Sequence, residues 1–184
     1  MKNQIDDNVL IDRFLDGDVK AFNILVEKYK RKIYLTAYRL LGNHEDASDI
    51  TQEVIIKMYN ELKNFRRESS IYTWLYRITA NLSLNELKKR KIRNFFDFDE
   101  VEEWLFKDEK QSPELSYREN ELSNKIQEAL NKLPEKQKLV FTLRYYDGLS
   151  YEEISEILGT SVGALKANYF HAVNKLQKEL KNVL

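Results

Sequence analysis

Cysteine is missing altogether from this 184-residue chain, proline occurs twice and glycine five times. Without thiols there can be no disulfide framework, no thiolate nucleophile and no cysteine-based zinc site. The two histidines, His44 and His171, stand far apart and make a poor metal site, so neither a metal nor a cofactor is expected. Few helix breakers amid many helix formers point to an all-α fold. Long apolar runs are also absent: stretches such as Val54-Ile55-Ile56 are short, and charge interrupts them everywhere. Neither a signal peptide nor a membrane span is therefore expected. A soluble, cytoplasmic protein with no direct membrane insertion is.

Charge of one sign is lacking overall, because 30 basic and 30 acidic side chains cancel. The cancellation conceals an asymmetry. Residues 1–93 hold 18 basic and 13 acidic side chains, residues 94–121 hold 3 and 10, and residues 122–184 hold 9 and 7. Two mildly basic segments flank a strongly acidic one, as expected if each basic part meets a polyanion and the connector stays clear of it. Acidic connectors also occur simply because they stay solvated.

Periodicity divides the chain in the same way. Helices are expected near 6–16, 18–42, 45–64 and 70–91, broken at Asp16-Gly17-Asp18 and Leu41-Gly42-Asn43. Phe22, Leu25, Val26, Tyr29, Ile33, Leu35, Ala37, Leu40 and Leu41 form a long apolar stripe, with Ile50, Val54, Met58 and Leu62 as its packing partner. From Asn94 to Tyr117 the periodicity weakens, and Ser112-Pro113-Glu114 interrupts it. The expectation is a helical domain over 1–93, an acidic linker over 94–118, and a second small helical domain over 119–184. The last helix runs nearly to Leu184, and no further domain is expected after it.

The second domain ends in a helix-turn-helix. Ser150 and Glu153 can form a capping box at the start of Tyr151–Leu158, and Gly159 can end that helix in the left-handed conformation. Thr160 or Ser161 can cap the next helix, with Val162, Leu165, Tyr169, Ala172, Val173, Leu176 and Leu180 on its inner stripe. Its outer face carries Gly163, Ala167, His171, Asn174 and Lys178, flanked by Lys166, Phe170 and Lys175. Small, polar and basic side chains opposite an apolar anchor suit a helix lying in a DNA major groove, although an ordinary helical hairpin with a solvated outer face reads the same way.

Two further stretches could carry chemistry. His44 to Glu53 places Asp46, Asp49, Gln52 and Glu53 on a polar surface, which is either solvated or binds a protein; a metal-dependent nuclease would use Asp46, Asp49 and Glu53 but lacks the rest of a site. From Lys63 to Lys91, Phe65, Tyr72, Trp74 and Tyr76 interleave with Arg66, Arg67 and Arg77, and the run Lys88 to Lys91 follows. Aromatic faces beside cations are what unpaired bases require. The alternative is that Trp74, Leu75 and Ile78 fill the core while the basic run sits at a helix C-terminus. Trp74 is expected in the core; Phe65, in a polar loop, is hard to explain by packing.

These residues carry a resemblance. Asp46-Ala-Ser-Asp-Ile-Thr-Gln-Glu53, Phe65-Arg-Arg-Glu-Ser-Ser-Ile-Tyr-Thr-Trp-Leu-Tyr-Arg-Ile78 with Asn81, Leu133-Pro134, and Leu149-Ser-Tyr-Glu-Glu-Ile154 followed by Gly163-Ala-Leu-Lys166 stand in the order and spacing of the extracytoplasmic-function sigma factors of bacterial RNA polymerase. The chain resembles that family over about 10–91 and 119–182. The resemblance implies an alternative sigma factor that directs core polymerase to promoters without catalysis of its own. Asp49, Gln52 and Glu53 would meet the largest polymerase subunit. Lys57, Phe65, Tyr76 and Asn81 would line a pocket for an extruded base of the downstream promoter element, and Lys166, Ala167, Phe170 and His171 would approach the upstream element in the major groove. The acidic linker would thread toward the polymerase active-site channel, and an anti-sigma factor is an implied partner. Asn85 departs from the family's usual aspartate, and Asn168, His171 and Val173 stand where arginine is common, which puts base contacts there in doubt. The competing expectation is a stand-alone helix-turn-helix regulator that binds duplex DNA without polymerase; it leaves Asn64 to Ser70 and the surface near Asp49 without a purpose.

Overall fold

The structure is a computed structural model that describes residues 5–96 and 117–181. Regular structure among the described residues is helical: α1 (Asp7–Leu15), α2 (Val19–Leu41), α3 (His44–Glu61), α4 (Ile71–Phe96), α5 (Tyr117–Asn131), α6 (Glu135–Phe141), α7 (Tyr151–Leu158) and α8 (Val162–Leu180). Short polar residues open most of these helices, because a side-chain oxygen just before the first turn satisfies an amide that has no partner in the helix. Asp6, Asp18, Asn43 and Ser161 each accept from an amide of the turn they precede, and Ser150 and Glu153 form the expected capping box reciprocally. At the other ends Gly42 and Gly159 adopt φ of 71° and 60°, the left-handed stop that glycine makes easily.

One boundary differs from expectation. α4 continues to Phe96 and α5 begins at Tyr117, so the ends of the expected linker, 94–96 and 117–118, are helical. Asn94-Phe95-Phe96 contains no breaker, and weakened periodicity alone does not end a helix that has already paired its backbone. The rest of the linker, 97–116, lies outside the described residues.

Three apolar clusters hold the helices. The first gathers Leu25, Tyr29, Ile33, Val54, Met58, Leu75 and their neighbours from α1 to α4. A third joins Leu130, Leu133, Phe141, Ala172 and Leu176 of α5, α6 and α8. Between them a cluster mixes Leu40, Tyr76 and Ala80 of α2 and α4 with Leu139, Val140, Leu143, Leu149, Ile154, Ile157 and Leu165 from α6 to α8. Leu40, expected on the first stripe, therefore packs against the last three helices, and the second set of helices does not complete its core alone. The two halves approach so closely that a β-carbon on Gly42 would lie 2.8 Å from the Asn131 side chain.

A five-residue π turn, Thr142–Tyr146, follows α6. Its wider spacing brings the Asp147 amide to the Thr142 carbonyl at 3.2 Å and that of Leu149 to the Leu143 carbonyl at 3.1 Å. The chain is thereby turned so that Asp147 points at α2 and α4.

Candidate nucleic-acid interface

A short 3-10 turn, Leu62–Asn64, ends α3, and the loop from Phe65 to Ser70 leads into α4, where the Ser70 hydroxyl accepts from the Thr73 amide at 3.0 Å. Arg67 in this loop has φ 59°, a left-handed conformation that costs a residue with a β-carbon about 1–2 kcal/mol. An ion pair with Asp12 of α1 holds it there, and the same guanidinium keeps the Asp12 carboxyl below the usual carboxylate range. Loop and helix enclose a cleft of about 430 Å³. Phe65 and Trp74 form its aromatic wall, their rings 5.4 Å apart and tilted by 43°. Arg66, Arg67 and Arg77 are also among the lining residues, and the Arg77 Nε is buried with no hydrogen-bond partner among the described residues. A flat π surface beside several cations can stack a base and hold a phosphate. The last wall residue, Glu156, comes from α7 in the other half.

The four residues expected to receive an unpaired strand are not all gathered in this cleft. Phe65 lines it. Lys57 sits half-exposed on α3, 3.9 Å from Glu61, and Asn81 is exposed on α4, four residues beyond Arg77 and so on the same side of the helix. Tyr76 lies elsewhere: it is 2% exposed, its ring packs 4.4 Å from that of Tyr72, and its hydroxyl donates to Asp147 Oδ1 at 3.3 Å. Burial raises its pKa well above the usual phenol value. Trp74, expected in the core, is instead half-buried as a wall of the cleft.

On α3, Asp49, Gln52 and Glu53 are exposed together. Positions i, i+3 and i+4 share a helix face, so the spacing alone aligns them. Asp46 does not join them; it pairs with Arg90, whose Nη1 also donates to the Leu41 carbonyl at 3.1 Å. The basic run at Lys88 to Lys91 was expected at the end of α4. It lies inside the helix, with Arg90 joining α4 to α2 and α3 and with Lys91 2.7 Å from Glu135 of α6.

The helix-turn-helix forms as its caps and stripe require. Leu165, Ala172 and Leu176 are buried, and Lys166, Ala167, Phe170 and His171 are exposed on α8. Phe170 is 63% exposed, a large ring held in water, with the His171 ring 5.8 Å away. Lys166 and Arg144 both lie over the Tyr151 ring, at 5.7 and 5.0 Å. Of the three positions where arginine was missed, only His171 faces solvent: Asn168 is half-buried and donates to the Ala164 carbonyl at 2.9 Å, and Val173 packs in the third cluster.

Two residues at the site gave no sequence signal. Asp147-Gly148 reads as an ordinary turn, and Glu156 reads as part of a solvated helix face. Nothing local in either segment points to a partner more than sixty residues away.

Comparison with known proteins matches the two halves separately. A family model described as Sigma-70 region 2 matches residues 25–92, and one described as Sigma-70, region 4 matches residues 123–176. The ECF RNA polymerase sigma-E factor of Escherichia coli K12 is 36% identical over 190 residues, covering 100% of this chain and 99% of its own. The RNA polymerase sigma-H factor of Pseudomonas aeruginosa is 35% identical over 195 residues, covering 100% and 98%. Among solved structures, the sigma factor RpoE in complex with the anti-sigma factor NepR from Bartonella quintana matches with TM-score 0.72 and 25% identity, over 88% of this chain and 98% of that one. CnrH, in complex with the cytosolic domain of CnrY, shares the fold at TM-score 0.69 and 22% identity, over 96% and 97%.

Proposed function

The chain belongs to the extracytoplasmic-function sigma factors of bacterial RNA polymerase, and on that premise we propose that its two halves divide the work of promoter recognition. It is an alternative sigma factor that directs core polymerase to specific promoters. In this reading residues 1–93 bind polymerase and trap the melted strand, 94–118 connect, and 119–184 bind the upstream element; the family-model matches to 25–92 and 123–176 support the division.

Asp49, Gln52 and Glu53 take the polymerase contact, supported by their shared exposed face on α3. Lys57, Phe65, Tyr76 and Asn81 receive the single strand of the downstream element. Stacking on an aromatic side chain contributes about 1–3 kcal/mol per base and offsets the unstacking of an extruded base. The observation that carries this reading is the cleft of Phe65 and Trp74 among three arginines. Lys166, Ala167, Phe170 and His171 meet the upstream element in the major groove. With no arginine on that face, base readout falls to weaker contacts and duplex affinity leans on polymerase and the downstream site.

The factor acts in the cytoplasm, with no catalysis of its own and no cofactor, and an anti-sigma factor is its second protein partner. No helix among the described residues is long and apolar enough to cross a membrane. A stand-alone regulator of duplex DNA has no use for the cleft or the α3 face. Run-off transcription with core polymerase and genomic fragments tests the reading: specific transcripts appear only when this protein is added, and binding of the same fragments without polymerase at physiological salt is weak.

A further inference from the structure

Arg67 is the one residue other than glycine with a positive φ among the described residues, and it stands two places after Phe65. A residue with a β-carbon holds that conformation only where its surroundings insist on it, and such strain gathers at ligand-binding loops. The loop's own backbone does not insist. The Phe65 amide donates to the Leu62 carbonyl at 3.1 Å and the Ser70 carbonyl accepts from the Trp74 amide at 3.1 Å, but among the described residues no backbone hydrogen bond ties 66–69. The Ser69 hydroxyl lies 3.5 Å from the neighbouring Ser70 carbonyl, and Arg66 lies 3.9 Å from Glu68; both are contacts within the loop, and neither fixes the turn at Arg67.

What reaches the turn from outside is Asp12, 55 residues earlier, whose two carboxylate oxygens accept from the Arg67 guanidinium. Asp12 is firmly placed. Leu10 and Ile11 beside it are each 1% exposed in the first cluster, and Asp7 of the same helix pairs with Lys28 at 2.7 Å and accepts from the Tyr29 hydroxyl at 2.6 Å on α2. The pair with Arg67 is itself open to water, its two side chains 39% and 58% exposed. An exposed ion pair and a left-handed turn are of similar size in energy, so the loop stands near balance. Without the pair a fraction of molecules relaxes at Arg67, and Phe65, two residues away, leaves its place 5.4 Å from the Trp74 ring.

We propose that Asp12 is a positioning residue for strand capture: through Arg67 it sets the loop that holds Phe65 against Trp74, so that α1 takes part in recognising the downstream element without touching it. α1 lies outside residues 25–92, the part matched as region 2. The role of Asp12 deepens, and rests on, the reading of Phe65 as a strand-binding residue. It also divides the three arginines of the cleft, because Arg67 is held by Asp12 and phosphate is left to Arg66 and Arg77.

The test uses the full chain bound to core polymerase, and the probe is a fluorescent single-stranded decamer from the non-template strand of a promoter mapped by run-off transcription. Thermal melts and core-binding titrations establish that each variant is folded and bound. Asp12→Asn removes the charge and keeps the shape, whereas Arg67→Ala removes the guanidinium and keeps the β-carbon. If about one loop in five stays set without the pair, each lowers apparent affinity for the decamer about fivefold, because apparent affinity scales with the competent fraction. Arg67→Gly discriminates. It loses the same charge as Arg67→Ala, yet glycine makes a left-handed turn unaided, so it binds about fivefold more tightly than the alanine variant, and adding Asp12→Asn to it costs nothing further. Glycine that binds no more tightly than alanine overturns the proposal, and a slope of log affinity against log salt flattened by about 0.7 in both would make Arg67 a phosphate contact instead. No loss in any of these variants, while Phe65→Ala still weakens the decamer, overturns the role of Asp12 and leaves the strand site standing. If Phe65→Ala also changes nothing, the strand-site reading falls and the role of Asp12 falls with it.

Discussion

α3 and α4 are neighbours in one bundle, yet they present in opposite ways the side chains proposed to act. α3 turns Asp49, Gln52 and Glu53 outward together, and all three are exposed among the described residues. α4 divides its aromatic residues, with Trp74 half-exposed beside Phe65 and Tyr76 buried beneath Asp147. The α3 face depends on a helix and its spacing, so it exists whenever the helix does. The α4 face depends on where the other half of the chain stands, because Asp147 meets Tyr76 and Glu156 lines the cleft beside Phe65. A surface for a first partner can be permanent, whereas a surface for a later one gains from being conditional.

The largest effect that would break this contrast is Tyr76→Ala. Removing a fully buried ring from the cluster that joins both halves costs about 3–5 kcal/mol and leaves Asp147 without one donor, so the melting temperature falls and both faces lose function together. Phe65→Ala, at a half-buried rim, leaves the fold intact. It removes a stacking platform, and promoter opening read by permanganate footprinting weakens by about 1–3 kcal/mol per base while binding to core polymerase persists. A collapse of thermal stability in this variant would make Phe65 a core residue and end the distinction between the two rings.

A smaller effect sharpens the other side. Asp49→Arg reverses charge at an exposed position, so stability changes by no more than about 0.5 kcal/mol. Affinity for core polymerase in a titration falls about tenfold, roughly 1.4 kcal/mol. The smallest effect is on pH dependence. Burial raises the Asp147 carboxyl to about 6 against the pull of Thr36, Arg39, Tyr76 and Lys32, so docking of the two halves takes up a proton; this contribution is complete below about 4 and lost as pH rises through about 6. Burial, with the charge of Arg90, lowers Lys138 to about 8 against the pull of Glu135, so docking there sheds a proton; this contribution is complete above about 10.5 and lost as pH falls through about 8. Tyr72 and Tyr76 also face the Asp147 side of the seam between the halves, and burial raises both phenols, so they stay neutral across this range. Energy transfer between dyes on Lys20→Cys and Gln177→Cys, both at exposed positions in a chain with no native cysteine, is therefore lowest near pH 7 and rises toward both pH 5 and pH 9. A single monotonic trend would remove one of the two groups from the seam.

Much of this architecture was legible residue by residue. Capping at Ser150 and Glu153, the stop at Gly159 and the stripe through Leu165, Ala172 and Leu176 follow from local rules that tertiary contacts did not override. The same holds for Asp49, Gln52 and Glu53. What could not be read is where an aromatic residue goes when two sinks compete for it. Trp74 and Tyr76 sit two residues apart on one helix; Trp74 was expected in the core, and Tyr76 was placed in a strand pocket through the family resemblance. The structure buries Tyr76 and leaves Trp74 half-buried, because the deciding contact for Tyr76 is Asp147, 71 residues away in sequence. Asp46 was set aside in the same manner, by Arg90 from another helix rather than by anything in its own segment. Long-range pairing of a charged or hydroxyl group leaves no periodic trace.

The mixed cluster also sets an order of events during synthesis. Leu40, Tyr76 and Ala80 leave the ribosome first, and Leu165, the last member of their cluster, follows Ala80 by about 85 residues. At bacterial and eukaryotic elongation speeds that interval lasts roughly 4–17 s. Over those seconds Tyr76 has no Asp147 above it and the Phe65 cleft has no Glu156 in its wall. Each newly made molecule thus passes through a period in which its strand site is bare before its own C-terminal helices arrive to cover it, and the nascent chain is in that respect more open than the finished one.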